Sequence, residues 1–72
     1  MANLTAHINQ QLFKKVDINI TLTRDEGYHT LTYDDGERYE ARTVMTPYTK
    51  DFSVARWLEE ARDFLQDVKG SA

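Results

Sequence analysis

Val16-Asp17-Ile18-Asn19-Ile20-Thr21-Leu22-Thr23 is the stretch on which the reading of the fold turns. Apolar and polar residues alternate without a break, the two-residue period of a half-buried β-strand. Its β-branched content suits a pleated surface. The pattern predicts that Val16, Ile18, Ile20 and Leu22 face a core and that Asp17, Asn19, Thr21 and Thr23 face solvent. Arg24-Asp25-Glu26-Gly27 breaks the alternation, and Tyr28 to Tyr33 resumes it as a second strand. Asp34-Asp35-Gly36 makes a second turn, and Arg38 to Met45 a third strand, stopped by Thr46-Pro47.

Register follows from parity, because a slip of one residue turns every side chain over. In the second strand the more apolar face is His29, Leu31 and Tyr33; in the third it is Tyr39, Ala41, Thr43 and Met45. Joining those faces needs an odd loop, which residues 34–36 supply as a type I turn with glycine in the left-handed position. Leu31 is then expected opposite Tyr39, and His29 opposite Ala41. An even loop at 24–27 sets Ile20 against Leu31 and Leu22 against His29.

Downstream, Val54, Trp57, Leu58, Ala61, Phe64, Leu65 and Val68 keep the spacing of one helical face. A C-terminal amphipathic helix is expected over 51–69, capped by Asp51 or Ser53, with Gly70 just past its end. Trp57 and Phe64 lie on one flank of the stripe, from which either could reach the domain's edge. Upstream, Leu4, Ile8 and Leu12 recur every four residues, with Asn3 as a cap and Lys14-Lys15 near the end, which predicts a helix within 1–15. Leu4, Ala6 and Ile8 also alternate, so a strand is the competing reading. The expected architecture is α+β, in the order α-β-β-β-α. A three-stranded antiparallel meander over 16–46 carries the C-terminal helix on one face, and residues 1–72 form a single small domain.

A domain of 72 residues with no cysteine lies near the lower limit for folding alone, and has no disulfide to compensate. Association is therefore a reasonable expectation, a homodimer included. The net charge of −3 is uneven: residues 24–40 hold two arginines against six acids. Nothing resembles the basic footprint of a nucleic-acid binder, so the charge disfavours nucleic acid as a partner. No apolar run reaches membrane-spanning length and no signal-peptide pattern opens the chain; a cytoplasmic protein without membrane contact is expected.

Catalytic chemistry finds few candidates. Of two histidines, His7 falls on the N-terminal helix and His29 on the buried sheet face, where a hydrogen-bonded core histidine, paired with Tyr33 or Tyr39, is the simplest reading. The only serines are Ser53 and Ser71. Asp34-Asp35 are better explained by turn formation than by acid–base work or cation binding, since neighbours in a tight turn splay apart. No catalytic residue, cofactor or metal is expected. The solvent face of the sheet, by parity, holds Tyr28, Thr30, Thr32, Arg38, Glu40 and Arg42 beside the threonines of the first strand. An ordinary solvated face of a one-sided sheet is the simpler reading; as a flat binding platform it would use Tyr28, Arg38 and Arg42 as anchors.

Three resemblances add expectations. The α-β-β-β-α order is similar to that of double-stranded-RNA-binding domains, although Thr49-Lys50-Asp51-Phe52-Ser53-Val54-Ala55-Arg56 holds two basic residues and one acid where that family has a basic cluster. Arg24-Asp25-Glu26-Gly27-Tyr28 with the acidic helix resembles HicB-type antitoxins, without their proline- and glycine-bearing central motif. Gly27-Tyr28-His29-Thr30-Leu31-Thr32-Tyr33-Asp34-Asp35 and Ala55-Arg56-Trp57-Leu58-Glu59-Glu60 look like a DNA-mimicking type I-F inhibitor among the small acidic anti-CRISPR proteins of phages. That likeness implies a non-enzymatic inhibitor that occupies a nucleic-acid-binding or protein surface of a CRISPR effector complex. Asp25, Glu26, Asp34, Asp35, Glu37, Glu59, Glu60 and Asp63 would then stand in for phosphates or pair with arginines. The competing expectation is a small nucleic-acid-binding or antitoxin-like module that uses Tyr28, Arg38 and Arg42.

Overall fold

A computed structural model describes residues 4–70. Along the chain run α1 (Leu4–Lys15), β1 (Ile20–Arg24), β2 (His29–Asp34), β3 (Tyr39–Val44), a 3₁₀ turn (Thr49–Asp51) and α2 (Val54–Gly70). The strands form one antiparallel sheet in the order β1-β2-β3. The α-β-β-β-α order and the α+β class are as the alternation and helical spacing predict. Asn3, the expected cap of α1, lies outside the described residues.

Both helices lie on one side of the sheet. Ile8 and Leu12 from α1 and Trp57, Leu58, Ala61, Phe64 and Val68 from α2 close over Ile20, Leu22, Leu31, Tyr33 and Val44. Trp57 and Phe64 are both core residues, although their place on the flank of the stripe allowed either to reach the edge: the Trp57 ring lies 5.0 Å from His29 and 4.8 Å from Phe52. Ser53 rather than Asp51 caps α2, its Oγ accepting the Arg56 N–H at 3.1 Å. The Asp51 carboxylate instead accepts the Thr46 hydroxyl at 2.7 Å. Gly70 is the last residue of α2, not the first beyond it.

The first strand begins four residues later than the alternation suggests. Asp17 accepts the Asn19 N–H on its side chain at 2.8 Å and the Ile20 N–H on its carbonyl at 3.3 Å, so residues 17–19 form a turn. Ile18, expected inward, is exposed. The alternation of 16–19 is therefore that of a turn whose carboxylate competes with the ladder for backbone donors.

Both registers differ from the expected ones. In the first hairpin Leu22 pairs with Leu31, Ile20 with Tyr33 and Arg24 with His29, a two-residue shift that keeps every side chain on its predicted face. In the second hairpin the shift is odd. Leu31 faces Arg42, Thr32 faces Ala41, and His29 faces Val44. The physical cause is the turn. Asp35 and Arg38 close a two-residue loop, with Gly36 at φ +90° in the first central position, where hairpins of the II′ kind need glycine. Asp35 Oδ1 accepts the N–H groups of Glu37 at 2.9 Å and Arg38 at 2.8 Å, and Asp34 Oδ1 accepts that of Gly36 at 3.0 Å. Consequently Tyr39, Ala41 and Thr43, expected inward, point out, while Glu40, Arg42 and Val44 point toward the helices.

Candidate functional site

The corrected register rebuilds the open face of the sheet. Cross-strand rows run Thr21–Thr32–Ala41 and Thr23–Thr30–Thr43, on the side opposite both helices. Tyr39 stands at one end of β3, and Met45 just beyond its other end, both strongly exposed. The two rows hold five threonines and one alanine and no ionised side chain of their own; the Asp25 carboxylate reaches them from the turn by accepting the Thr30 hydroxyl. The threonines were predicted there; Tyr39, Ala41, Thr43 and Met45 were not. The available signal was Gly36-Glu37 after Asp35, which reads as a two-residue hairpin with glycine first as readily as 34–36 reads as a three-residue one.

Of the predicted anchors, Tyr28 is exposed at the end of this face, but Arg38 and Arg42 are on the other side. Arg42 lies over the Phe64 ring, 5.4 Å from its centroid, and forks to two acids of α2. Its Nη1 donates to Asp63 at 2.9 Å and its Nη2 to Asp67. An arginine carried to the helix side by turn parity thus covers an aromatic with its stem and neutralises the acids above it. Arg38 meets Glu40 at 3.5 Å.

The predicted acids fall in three separate places. Asp25 and Glu26 occupy the β1–β2 turn, where Asp25 accepts the Thr30 hydroxyl at 3.1 Å. Asp34, Asp35 and Glu37 occupy the opposite end of the sheet. Glu59, Glu60 and Asp63 are on α2, with Glu60 held by Arg56 at 3.4 Å. At the second turn, the backbone N–H groups of Glu37 and then Arg38, helped by the Tyr33 hydroxyl at 3.1 Å, hold the Asp35 carboxyl below the usual carboxylate range. Burial, and then the Asp35 carboxylate, push the Tyr33 phenol up.

His29 is fully buried, as predicted, but its partners are neither Tyr33 nor Tyr39. Its Nδ1 lies 2.8 Å from the Thr46 carbonyl, which can only accept, so Nδ1 carries a proton. Nε2 lies 2.8 Å from the Thr49 hydroxyl, which in turn lies 3.1 Å from that of Thr5. Trp57 Nε1 donates to the Thr49 carbonyl at 2.9 Å. This network ties α1, β2, the 3₁₀ turn and α2 together. It accounts for the histidine as architecture.

Among the described residues no group of three or more His, Cys, Asp or Glu side chains is placed to hold a metal ion. No described helix is long and apolar enough to cross a membrane. Compared with models of protein families, with curated proteins and with solved structures, the chain shows no match.

Proposed function

We propose that the protein is a non-enzymatic binding module that acts by occupying a macromolecular partner, a protein, with the open face of its sheet. The observation that carries this reading is the uncovered pair of rows, Thr21–Thr32–Ala41 and Thr23–Thr30–Thr43, bordered by Tyr39, Tyr28 and Met45. Short hydroxyl side chains lose little conformational freedom on binding, and they cost less to desolvate than ionised groups where the partner meets their hydrogen bonds. Tyrosine and methionine at the margin are the residue types that anchor protein interfaces. The lack of cations in these rows argues for a protein rather than a phosphate backbone.

The more specific version, a phage or mobile-element inhibitor of a CRISPR effector complex, rests on the resemblance at residues 27–35 and 55–60. The spread of the acids favours a rim of charge around the face over one continuous strip of phosphate mimics. Asp25 and Glu26 border one end of the sheet, and Asp34, Asp35 and Glu37 the other.

Affinity capture from a host lysate, with wild type beside Thr30→Arg and beside an Asp34→Asn/Glu37→Gln double variant, tests the reading. A specific protein held by wild type and lost on Thr30→Arg supports the face. A partner held by Thr30→Arg but lost on the double variant would move the contact to the acidic turn. Unchanged CRISPR interference in cells that express the chain would eliminate the inhibitor version.

A further inference from the structure

The two edges of the sheet are finished differently. Asp34 donates its N–H to Asn19 at 3.1 Å, which fixes the alternation of the β1–β2 ladder and turns the amide groups of Leu22 outward. Asn9 of α1 meets both: its Oδ1 accepts the Leu22 N–H at 2.6 Å and its Nδ2 donates to the Leu22 carbonyl at 3.0 Å. Ile20 N–H is taken by Asp17. The β1 edge is thus covered at its start and its middle, and among the described residues only Arg24 at its end turns amide groups outward without a partner strand.

On β3, the bond from Asp35 N–H to the Arg38 carbonyl at 3.3 Å makes Asp35–Arg38 a hydrogen-bonded pair. By alternation, Tyr33–Glu40, Leu31–Arg42 and His29–Val44 are the next such pairs. Tyr39, Ala41 and Thr43 therefore aim their amide groups away from the sheet, and among the described residues nothing meets them. This edge has no proline and no lysine; the charges that guard it against chance pairing are Glu40 and Arg42, on the helix side, so a partner strand must complement them. Its helix-side residues are Arg38, Glu40 and Arg42, in alternating sign.

We propose that this edge pairs antiparallel with the same edge of a second copy, about a two-fold axis at Ala41, to make one continuous six-stranded sheet. Charge selects the occupant and the register. With Ala41 opposite itself, Glu40 of each copy, which meets Arg38 in its own chain, faces Arg42 of the other as a third carboxylate on a guanidinium that already forks to Asp63 and Asp67, and Tyr39 faces Thr43. Sliding one step toward the turn sets Glu40 against Glu40; one step the other way sets Arg42 against Arg42. A further slide to Tyr39 opposes Arg38 and Glu40, but runs the strand into its own turn and leaves a single hydrogen-bonded pair. Only the Ala41 register combines opposite charges with pairing along the whole strand, so the repulsive alternatives act as selection against it slipping. α2 packs on β2, leaving beside β3 a shallow groove lined by Glu40, Ala41, Arg42, Phe64, Asp67 and Val68. The carboxylate of the second copy enters on that side. The dimer uses the edge and not the open face, so it stands or falls separately from the partner reading. It would also give a small domain with no disulfide the added burial it lacks.

Sedimentation equilibrium of the full chain from micromolar to millimolar concentration should pass from 8.4 kDa to twice that mass. Glu40→Lys should raise the dissociation constant on the order of tenfold or more, with an unchanged far-ultraviolet spectrum. The chain has no native cysteine, so Ala41→Cys is a clean probe: the paired Cα atoms stand about 5.5 Å apart, within disulfide reach. It should cross-link on mild oxidation, whereas Glu40→Cys and Arg42→Cys, offset from the axis, should not. A wild-type chain that stays monomeric throughout, leaving its edge to a strand of another protein, overturns the proposal. So does cross-linking that favours position 40 or 42.

Discussion

Asn9 and Leu22 are joined by two hydrogen bonds, at 2.6 and 3.0 Å, in which one side-chain amide replaces the strand that β1 would otherwise lack. A helix thereby does the work of a sheet neighbour. Asn9→Ala should leave the Leu22 N–H and C=O competing for water at a half-buried site and cost about 1–3 kcal/mol. Urea titration measures it. A cost near zero would mean that the amide is a surface decoration.

His29 is the polar centre of the core. His29→Leu keeps approximate volume but strands the Thr46 carbonyl and leaves the Thr49 hydroxyl with Thr5 alone, so a loss of about 1–3 kcal/mol is expected. Trp57, the only tryptophan, sits against this imidazole and reports the change by fluorescence. A variant as stable as wild type, with an unshifted Trp57 emission, would show the network to be dispensable.

Arg42 separates charge from packing. Asp63 and Asp67 are about two-thirds exposed, with side-chain values of 69% and 66%, so their pairing with Arg42 is heavily screened by solvent. Arg42→Met keeps an apolar stem over Phe64 and should cost less than about 1 kcal/mol. Arg42→Ala uncovers Phe64 and should cost more. Equal losses in thermal unfolding would contradict this division.

Asp35 and Tyr33 give stability a pH signature at each extreme. The Asp35 carboxyl titrates below its ordinary 3.8 in the folded state, so its contribution is complete above that value and disappears as pH falls through the lower, folded one. The Tyr33 phenol titrates above its ordinary 10.0, so its contribution is complete below 10.0 and disappears as pH rises through the higher, folded value. Asp35→Asn should flatten the acid limb of the stability profile, and Tyr33→Phe the alkaline limb. Chemical denaturation across pH checks both; a wild-type acid limb retained in Asp35→Asn would assign the titration elsewhere.

Element types and order were legible because Ile20 to Thr23 keeps a two-residue period and Val54 to Val68 a helical one. The inward set of β1 and β2, Ile20, Leu22, His29, Leu31 and Tyr33, was legible for the same reason, although the pairing across the turn was not. β3 was not legible from hydrophobicity. Tyr39, Ala41 and Thr43 read as the more apolar parity, and only the Asp35 carboxylate, which holds the Glu37 and Arg38 amides in a two-residue loop, reverses it. That reversal exchanged two supposed surface anchors, Arg38 and Arg42, for Tyr39 and Thr43. Partners far apart in sequence, such as Thr5 with Thr49 and Asn9 with Leu22, carry no periodic signal at all.

Both the open threonine face and the free edge depend on which way β3 faces, and nuclear Overhauser contacts between α-protons measure that directly. In pairs that do not exchange hydrogen bonds the α-protons of antiparallel strands point at each other. The register described here predicts strong contacts between Thr32 and Ala41 and between Thr30 and Thr43. Strong contacts from Leu31 to Tyr39 or from His29 to Ala41 would contradict it, and would return Arg38 and Arg42 to the open face.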